Sequence, residues 1–87
     1  MVVEIAQNPN GKGWKPSGLM VTKAKWWIYL FSNQSFIAIE VDRLKRYIEI
    51  NDKIEVKEFA KWSPNVTRGY LLMPEDINKL LSSDLYD

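Results

Sequence analysis

A glutamate and a lysine two positions apart, Glu55 and Lys57, have the spacing that comes closest to a reactive arrangement. On a β-strand, residues i and i+2 project to the same side, so the carboxylate and the ammonium would lie together. Such a carboxylate can bind a divalent cation, and the lysine can stabilise charge at an attacked phosphate. The alternative is an ordinary solvated strand face. A metal site also needs a carboxylate from the preceding hairpin strand, and the nearest candidate, Asp42, is predicted to cap a helix.

A second group of polar residues lies between residues 10 and 25, where no acidic residue occurs. Lysine and hydroxyl side chains contact phosphates and tryptophan stacks on bases, so a nucleic-acid surface is one interpretation. The alternative is that the lysines solubilise an exposed loop while the tryptophans belong to the core. The nucleic-acid interpretation selects five binding residues: Lys12, Lys15, Ser17, Thr22 and Lys23.

The composition narrows the chemistry further, because the chain has no cysteine and no histidine. Thiol nucleophiles, disulfides, imidazole acid-base chemistry and the usual zinc sites are therefore excluded. The longest apolar run, from Trp26 to Phe31, is far too short to cross a bilayer, and the first residues lack the pattern of a signal peptide. These features predict no membrane association and a cytoplasmic location.

Charge is distributed unevenly along the chain. Residues 1–39 carry four lysines against Glu4 alone, whereas residues 74–87 carry Lys79 against four acids, and the net charge is +1. A basic first half and an acidic end indicate a surface in the first half that faces a polyanion.

The hydrophobic periodicity predicts an α+β fold. The length of 87 residues and the 46% hydrophobic content are those of one globular domain spanning 1–87. The predicted sheet is mixed or antiparallel with about five strands, accompanied by two main helices. In chain order, the predicted elements are a strand at 2–7, a short helix or turn at 20–25, a hairpin at 26–41, a helix at 42–51, strands at 54–59 and 67–73, and a helix from Pro74.

The strand at 26–31 is apolar on both faces. Trp27, Tyr29 and Phe31 alternate with Trp26, Ile28 and Leu30. A strand of this kind is usually central and buried, so helices are expected to cover it.

Several short motifs resemble the PD-(D/E)XK superfamily of small phage and bacterial nucleases. They are Glu4-Ile5-Ala6-Gln7, Lys15-Pro16-Ser17-Gly18-Leu19, Thr22-Lys23-Ala24 with Trp27, Val41-Asp42-Arg43-Leu44, Thr67-Arg68-Gly69-Tyr70, and Pro74-Glu75-Asp76-Ile77. The resemblance implies part of a restriction-endonuclease-like fold, a DNA substrate and Mg²⁺ as the cofactor of the completed enzyme. It places Glu55 and Lys57 on a later strand than the catalytic motif, and Lys25 replaces an acid that the family usually has.

Members of this family carry their active-site acids upstream of the strand that resembles residues 2–7. The resemblance therefore implies a split nuclease, in which a second polypeptide supplies the N-terminal half and the metal site. An uncovered strand at the start of the chain is expected to pair with that partner through Val2, Val3, Glu4 and Ile5. Two alternatives remain: a non-catalytic DNA- or protein-binding domain of phage origin, and a homodimer that pairs identical strand edges.

Overall fold

The computed structural model describes residues 1–82 and shows an α+β fold of two antiparallel sheets and two helices. The strands are β1 (Val2–Pro9), β2 (Lys15–Pro16), β3 (Trp26–Leu30), β4 (Phe36–Glu40), β5 (Glu55–Phe59) and β6 (Asn65–Leu71). The helices are α1 (Val41–Ile50) and α2 (Pro74–Leu80), with a short 3₁₀ helix at Gly18–Met20. Asp84 and Asp87 of the acidic end lie outside the described residues.

The larger sheet has four strands in the order β2-β1-β6-β5. Strand β1 pairs with β6 along its whole length, from Val2 opposite Leu71 to Pro9 opposite Asn65, with a bulge between Glu4 and Ala6. The expectation that β1 is uncovered is therefore wrong for this edge, which β6 covers. The residues before and after β1 give no sign of this neighbour, because β6 lies more than fifty residues further along the chain.

The other edge of β1 is lined by the segment that follows it. Ser17 N donates to Ile5 O at 2.9 Å, and Gly18 packs directly on the backbone of Glu4. Val3, in the middle of the predicted partner strand, is fully buried. On this edge β2 pairs only with Ala6 and Gln7, and Ser17 reaches Ile5. The pairing of Val2, Val3, Glu4 and Ile5 with a second chain stays a prediction.

The smaller sheet is the predicted hairpin, β3 paired with β4 from Trp26 opposite Glu40 to Leu30 opposite Phe36. Its inner face contributes Ile39 to the core, with Trp27 and Ile37 packed against it. Its outer face is exposed, which corrects the expectation that helices cover both sides. The structure places both described α-helices away from that face, because α1 begins directly at the end of β4 and turns back onto the core.

Helix α1 is amphipathic, as the spacing of its apolar residues predicts. Val41, Leu44 and Tyr47 are buried, and Leu44 is completely enclosed. The predicted cap was wrong: Asp42 lies inside the first turn, and the N-cap residue is Glu40, whose side chain makes no capping hydrogen bond. Instead, Val41 N donates to the Lys25 carbonyl at 2.8 Å, so the residue just before β3 satisfies one amide of the first turn.

Helix α2 begins at Pro74, as predicted, because proline suits a first helical position. Asp76 fixes this helix to α1: its Oδ1 accepts a hydrogen bond of 2.6 Å from the Tyr47 hydroxyl, and its Oδ2 accepts one of 2.8 Å from Met73 N. Burial and then the hydrogen bond to Asp76 raise the pKa of Tyr47 above the usual value for tyrosine. A single carboxylate therefore bridges the core tyrosine and the start of α2.

Eight residues form the buried core between the sheets and the helices: Val3, Leu19, Ile39, Val41, Leu44, Tyr47, Leu72 and Leu80. Trp27 of β3 and Tyr70 of β6 are partly buried and pack against this cluster, whereas β5, an edge strand in the described part of the chain, contributes no residue to it. Within residues 1–82, no helix has the length and apolar character needed to cross a membrane.

Candidate nucleic-acid interface

Two turns meet at one end of the four-stranded sheet. The turn after β1 and the turn between β5 and β6 are joined by a hydrogen bond of 2.7 Å from Asn10 N to Pro64 O. Both turns use left-handed backbone, at Asn10 with φ +53° and at Ala60 with φ +55°. The surface formed by residues 10–15, 60–64 and Arg68 is called the loop end below.

Four cationic side chains are concentrated at the loop end: Lys12, Lys15, Lys61 and Arg68. Lys15 is opposite Gln7 in the sheet, whereas Arg68 is opposite Ala6, the next residue back along β1. Because successive strand residues project to opposite faces, Lys15 and Arg68 place positive charge on both sides of the sheet. Glu58 is opposite Arg68, and it adds one acid beside these four cations.

Aromatic rings accompany these cations. The Arg68 guanidinium lies over the ring of Trp14, with 3.9 Å between its central carbon and the ring centroid. Such a stack fixes both side chains and leaves the guanidinium edge available for hydrogen bonds to an anion. Trp62, at the tip of the β5–β6 turn, is 91% exposed.

Trp62, Lys61 and Arg68 are the residues that sequence reasoning missed as parts of a site. The segment around Trp62 reads simply as loop, because Ser63, Pro64 and Asn65 favour a turn. A usable signal was present: a tryptophan adjoining a lysine in a turn has no strand or helix period that would bury it. Only the structure shows that this turn lies beside residues 10–13.

The five residues predicted to bind nucleic acid do not form one group. Lys12 and Lys15 are exposed at the loop end. The Ser17 hydroxyl oxygen is buried and has no hydrogen-bond partner among the described residues. Because this oxygen does not face solvent, Ser17 is removed from the set of phosphate-contacting residues.

Thr22 and Lys23 lie instead beside the N-terminal end of α1. They line a shallow cleft whose other residues are Ala24, Lys25, Glu40, Val41, Asp42 and Lys45. The Thr22 hydroxyl accepts a hydrogen bond of 3.1 Å from Ala24 N, so it stabilises the turn that leads into β3. Two acids share this cleft with three lysines, so its positive charge is largely offset.

Glu55 and Lys57 lie on one face of the edge strand β5, as their spacing predicts. Lys57 Nζ is 3.7 Å from Glu55 Oε1, and the two side chains are 47% and 62% exposed respectively. In residues 1–82 there is no group of three acidic side chains placed to hold a metal ion. The described geometry of this pair is that of a solvent-exposed ion pair.

Comparisons of the chain with family models, curated proteins and solved structures yield no match.

Proposed function

We propose that this chain is the DNA-contacting portion of a PD-(D/E)XK-like nuclease, and that a second chain completes its metal site. The observation that carries the proposal is the combination of four cations with an almost fully exposed tryptophan, Trp62, at the loop end. The resemblance of Lys15-Pro16-Ser17-Gly18 and the later motifs to that superfamily supports the same assignment.

The exposed indole of Trp62 is the more specific part of this surface. A tryptophan left in water makes no contribution to the hydrophobic core, so both faces of its ring are available to a ligand. Stacking of a base on an aromatic side chain is worth about 1 to 3 kcal/mol and tolerates any base. Trp62 is thus suited to an unpaired or splayed base, as found in single-stranded and branched DNA.

The cations supply the part of binding that is independent of sequence. Lys12 and Lys61 flank the two turns, and Lys15 and Arg68 extend the positive charge onto the sheet. If three of them neutralise phosphates at once, the logarithm of the association constant falls with the logarithm of salt concentration at a slope of about −2 to −3.

Catalysis in this proposal belongs to the completed assembly. Mg²⁺ requires several oxygen ligands in octahedral geometry, and Glu55, which is paired with Lys57, would supply only one carboxylate. The second chain contributes the remaining acids.

Fluorescence anisotropy with labelled single-stranded, duplex and branched DNA tests the binding surface. Lys12→Ala and Lys61→Ala are expected to weaken binding to all three substrates and to reduce the salt slope, because each removes a phosphate contact. Lys79→Ala, which alters an exposed lysine on α2, is the matched control and should leave affinity unchanged. Equal DNA affinities for the Lys12, Lys61 and Lys79 variants would show that the loop end does not contact DNA.

Trp62 requires its own pair of variants. Trp62→Ala is expected to weaken single-stranded binding by about tenfold or more, whereas Trp62→Phe retains a stacking face and most of the affinity. Equal binding by the two variants would show that stacking plays no part.

A Mg²⁺-dependent cleavage assay on the same substrates tests whether this chain needs a second chain to cut DNA. The purified chain alone is expected to bind without cutting. Cleavage that Glu55→Ala or Lys57→Ala abolishes would place the active site in this chain and refute the split arrangement. Salt-sensitive binding with no cutting, even after the neighbouring reading frames are co-expressed, would favour the non-catalytic DNA-binding alternative.

A further inference from the structure

The outer face of the β3–β4 hairpin is apolar and exposed. Four large side chains and one alanine project from it: Trp26, Ile28, Leu30, Phe36 and Ala38. The exposed fractions of the four large residues range from 48% for Trp26 to 68% for Leu30. The inner face already packs on the core, so this ribbon has apolar residues on both sides but is covered on only one.

The size of the exposed area agrees with one half of a protein interface. Four side chains of this size at roughly half exposure present on the order of 500 Å² of apolar surface. A standard interface buries about 800 Å² per partner, and its apolar part, about 60%, is close to the same value. Patches of this extent on a monomer usually mark interaction sites.

We propose that this face binds the same face of a second copy of the chain, across a two-fold axis parallel to the strands. In that arrangement β3 of one copy stacks on β4 of the other. The residue pairs observed within the hairpin then predict the contacts between copies: Ile28 lies over Ala38 of the second copy and Leu30 over Phe36 of the second copy. A large residue facing a small one at the centre permits close packing of two sheets.

Charges at one end of the face select this orientation. Glu40 is directly opposite Trp26, and the Lys25 ammonium lies 5.8 Å from the centroid of the Trp26 ring. A two-fold axis parallel to the strands places each Glu40 beside Lys25 of the second copy, so the dimer contains two equivalent ion pairs. An axis perpendicular to the strands would stack Glu40 on Phe36 and bury an unpaired carboxylate, which is unfavourable.

A second copy therefore satisfies both the apolar and the charged parts of this surface. The interface is self-complementary, as a two-fold homodimer requires. This inference does not depend on the proposed DNA binding, because the hairpin face and the loop end share no residue.

Sedimentation velocity of the native chain over a range of concentrations tests the inference. A dimer is expected to predominate above roughly 10 µM, because interfaces of standard size have dissociation constants from micromolar to picomolar. Ile28→Lys places a charge at the centre of the face and should yield a monomer with native circular dichroism. Ile50→Lys is the matched control, because Ile50 on α1 is 54% exposed and Ile28 is 60% exposed; it should remain dimeric.

Charge exchange at the rim tests the orientation. Lys25→Glu and Glu40→Lys should each raise the dimer dissociation constant by about tenfold, because each replaces two attractive pairs by repulsive ones. The double variant restores opposite charges and should dimerise like the native chain. A native chain that remains monomeric at about 100 µM, or an Ile28→Lys variant that dimerises normally, would overturn the proposal, whatever other protein the face then proved to bind.

Discussion

Gly18 offers the sharpest test of how the chain packs against β1. Its φ is +52°, and a Cβ at this position would overlap the Glu4 carbonyl oxygen and lie 2.9 Å from the Glu4 carbonyl carbon. Because both contacts are with backbone, no side-chain rotation can relieve them. Gly18→Ala should therefore separate the 3₁₀ helix from the interior strand of the sheet.

The size of the effect follows from two separate costs. Left-handed backbone costs about 1 to 2 kcal/mol for alanine relative to glycine, and forcing an extra methyl group into a packed region costs about 1 to 3 kcal/mol. Gly11 is the matched control: its φ is +69°, but a Cβ there meets no atom within 4 Å. Gly11→Ala incurs only the first cost, so the two variants should differ by about 1 to 3 kcal/mol.

Urea unfolding followed by tryptophan fluorescence measures this difference, with all proteins at one concentration so that self-association does not confound it. For a chain of this length, a slope of about 1 kcal/mol per molar urea converts the difference into midpoints separated by roughly 1 to 3 M. The entropy that alanine removes from the unfolded chain is common to both variants and cancels. Equal midpoints for Gly18→Ala and Gly11→Ala would show that Gly18 does not pack on Glu4 as described.

Leu44→Ala, at a fully buried position, should lower the free energy of unfolding by about 2 to 5 kcal/mol. Leu81→Ala, at a position that is 53% exposed, should lower it by less than about 1 kcal/mol. Similar losses for the two variants in urea unfolding would contradict the assignment of the core. Tyr47→Phe removes the hydroxyl that donates to Asp76 and should cost about 1 to 3 kcal/mol, which the same measurement checks. Because burial and this hydrogen bond raise the pKa of Tyr47 above 10.0, the stability that it contributes is complete below pH 10 and is lost as pH rises further. Unfolding of the native protein between pH 9 and 11 should show this alkaline loss, and Tyr47→Phe should show less of it; identical pH profiles would exclude the linkage.

The sequence alone determined the local elements. The buried positions Val41, Leu44 and Tyr47 recur at helical spacing, Pro74 marks the start of α2, and two apolar runs close together produced the hairpin. These signals are reliable because backbone geometry sets the helical and strand periods within a few residues. The helix cap was less predictable, since the backbone carbonyl of Lys25, just before β3, satisfies an amide at the start of α1, and the Asp42 side chain does not.

Only the tertiary structure decided which segments became neighbours. Strand β1 is covered by β6, more than fifty residues away along the chain, so its neighbours could not be inferred from the residues around it. The same holds for the meeting of Asn10 with Pro64, which brings Trp62 and Lys61 beside Lys12.

The hairpin shows most directly the difference between what local periodicity encodes and what the tertiary structure decides. Its alternation identified two apolar faces, and the residues on each face were correct, but periodicity carries no information on which face meets the core. That choice depends on where α1 and the four-stranded sheet lie in space, and they cover Ile39 while leaving Ile28 in solvent. Local geometry is encoded within a few residues, whereas burial is a property of the whole assembled chain.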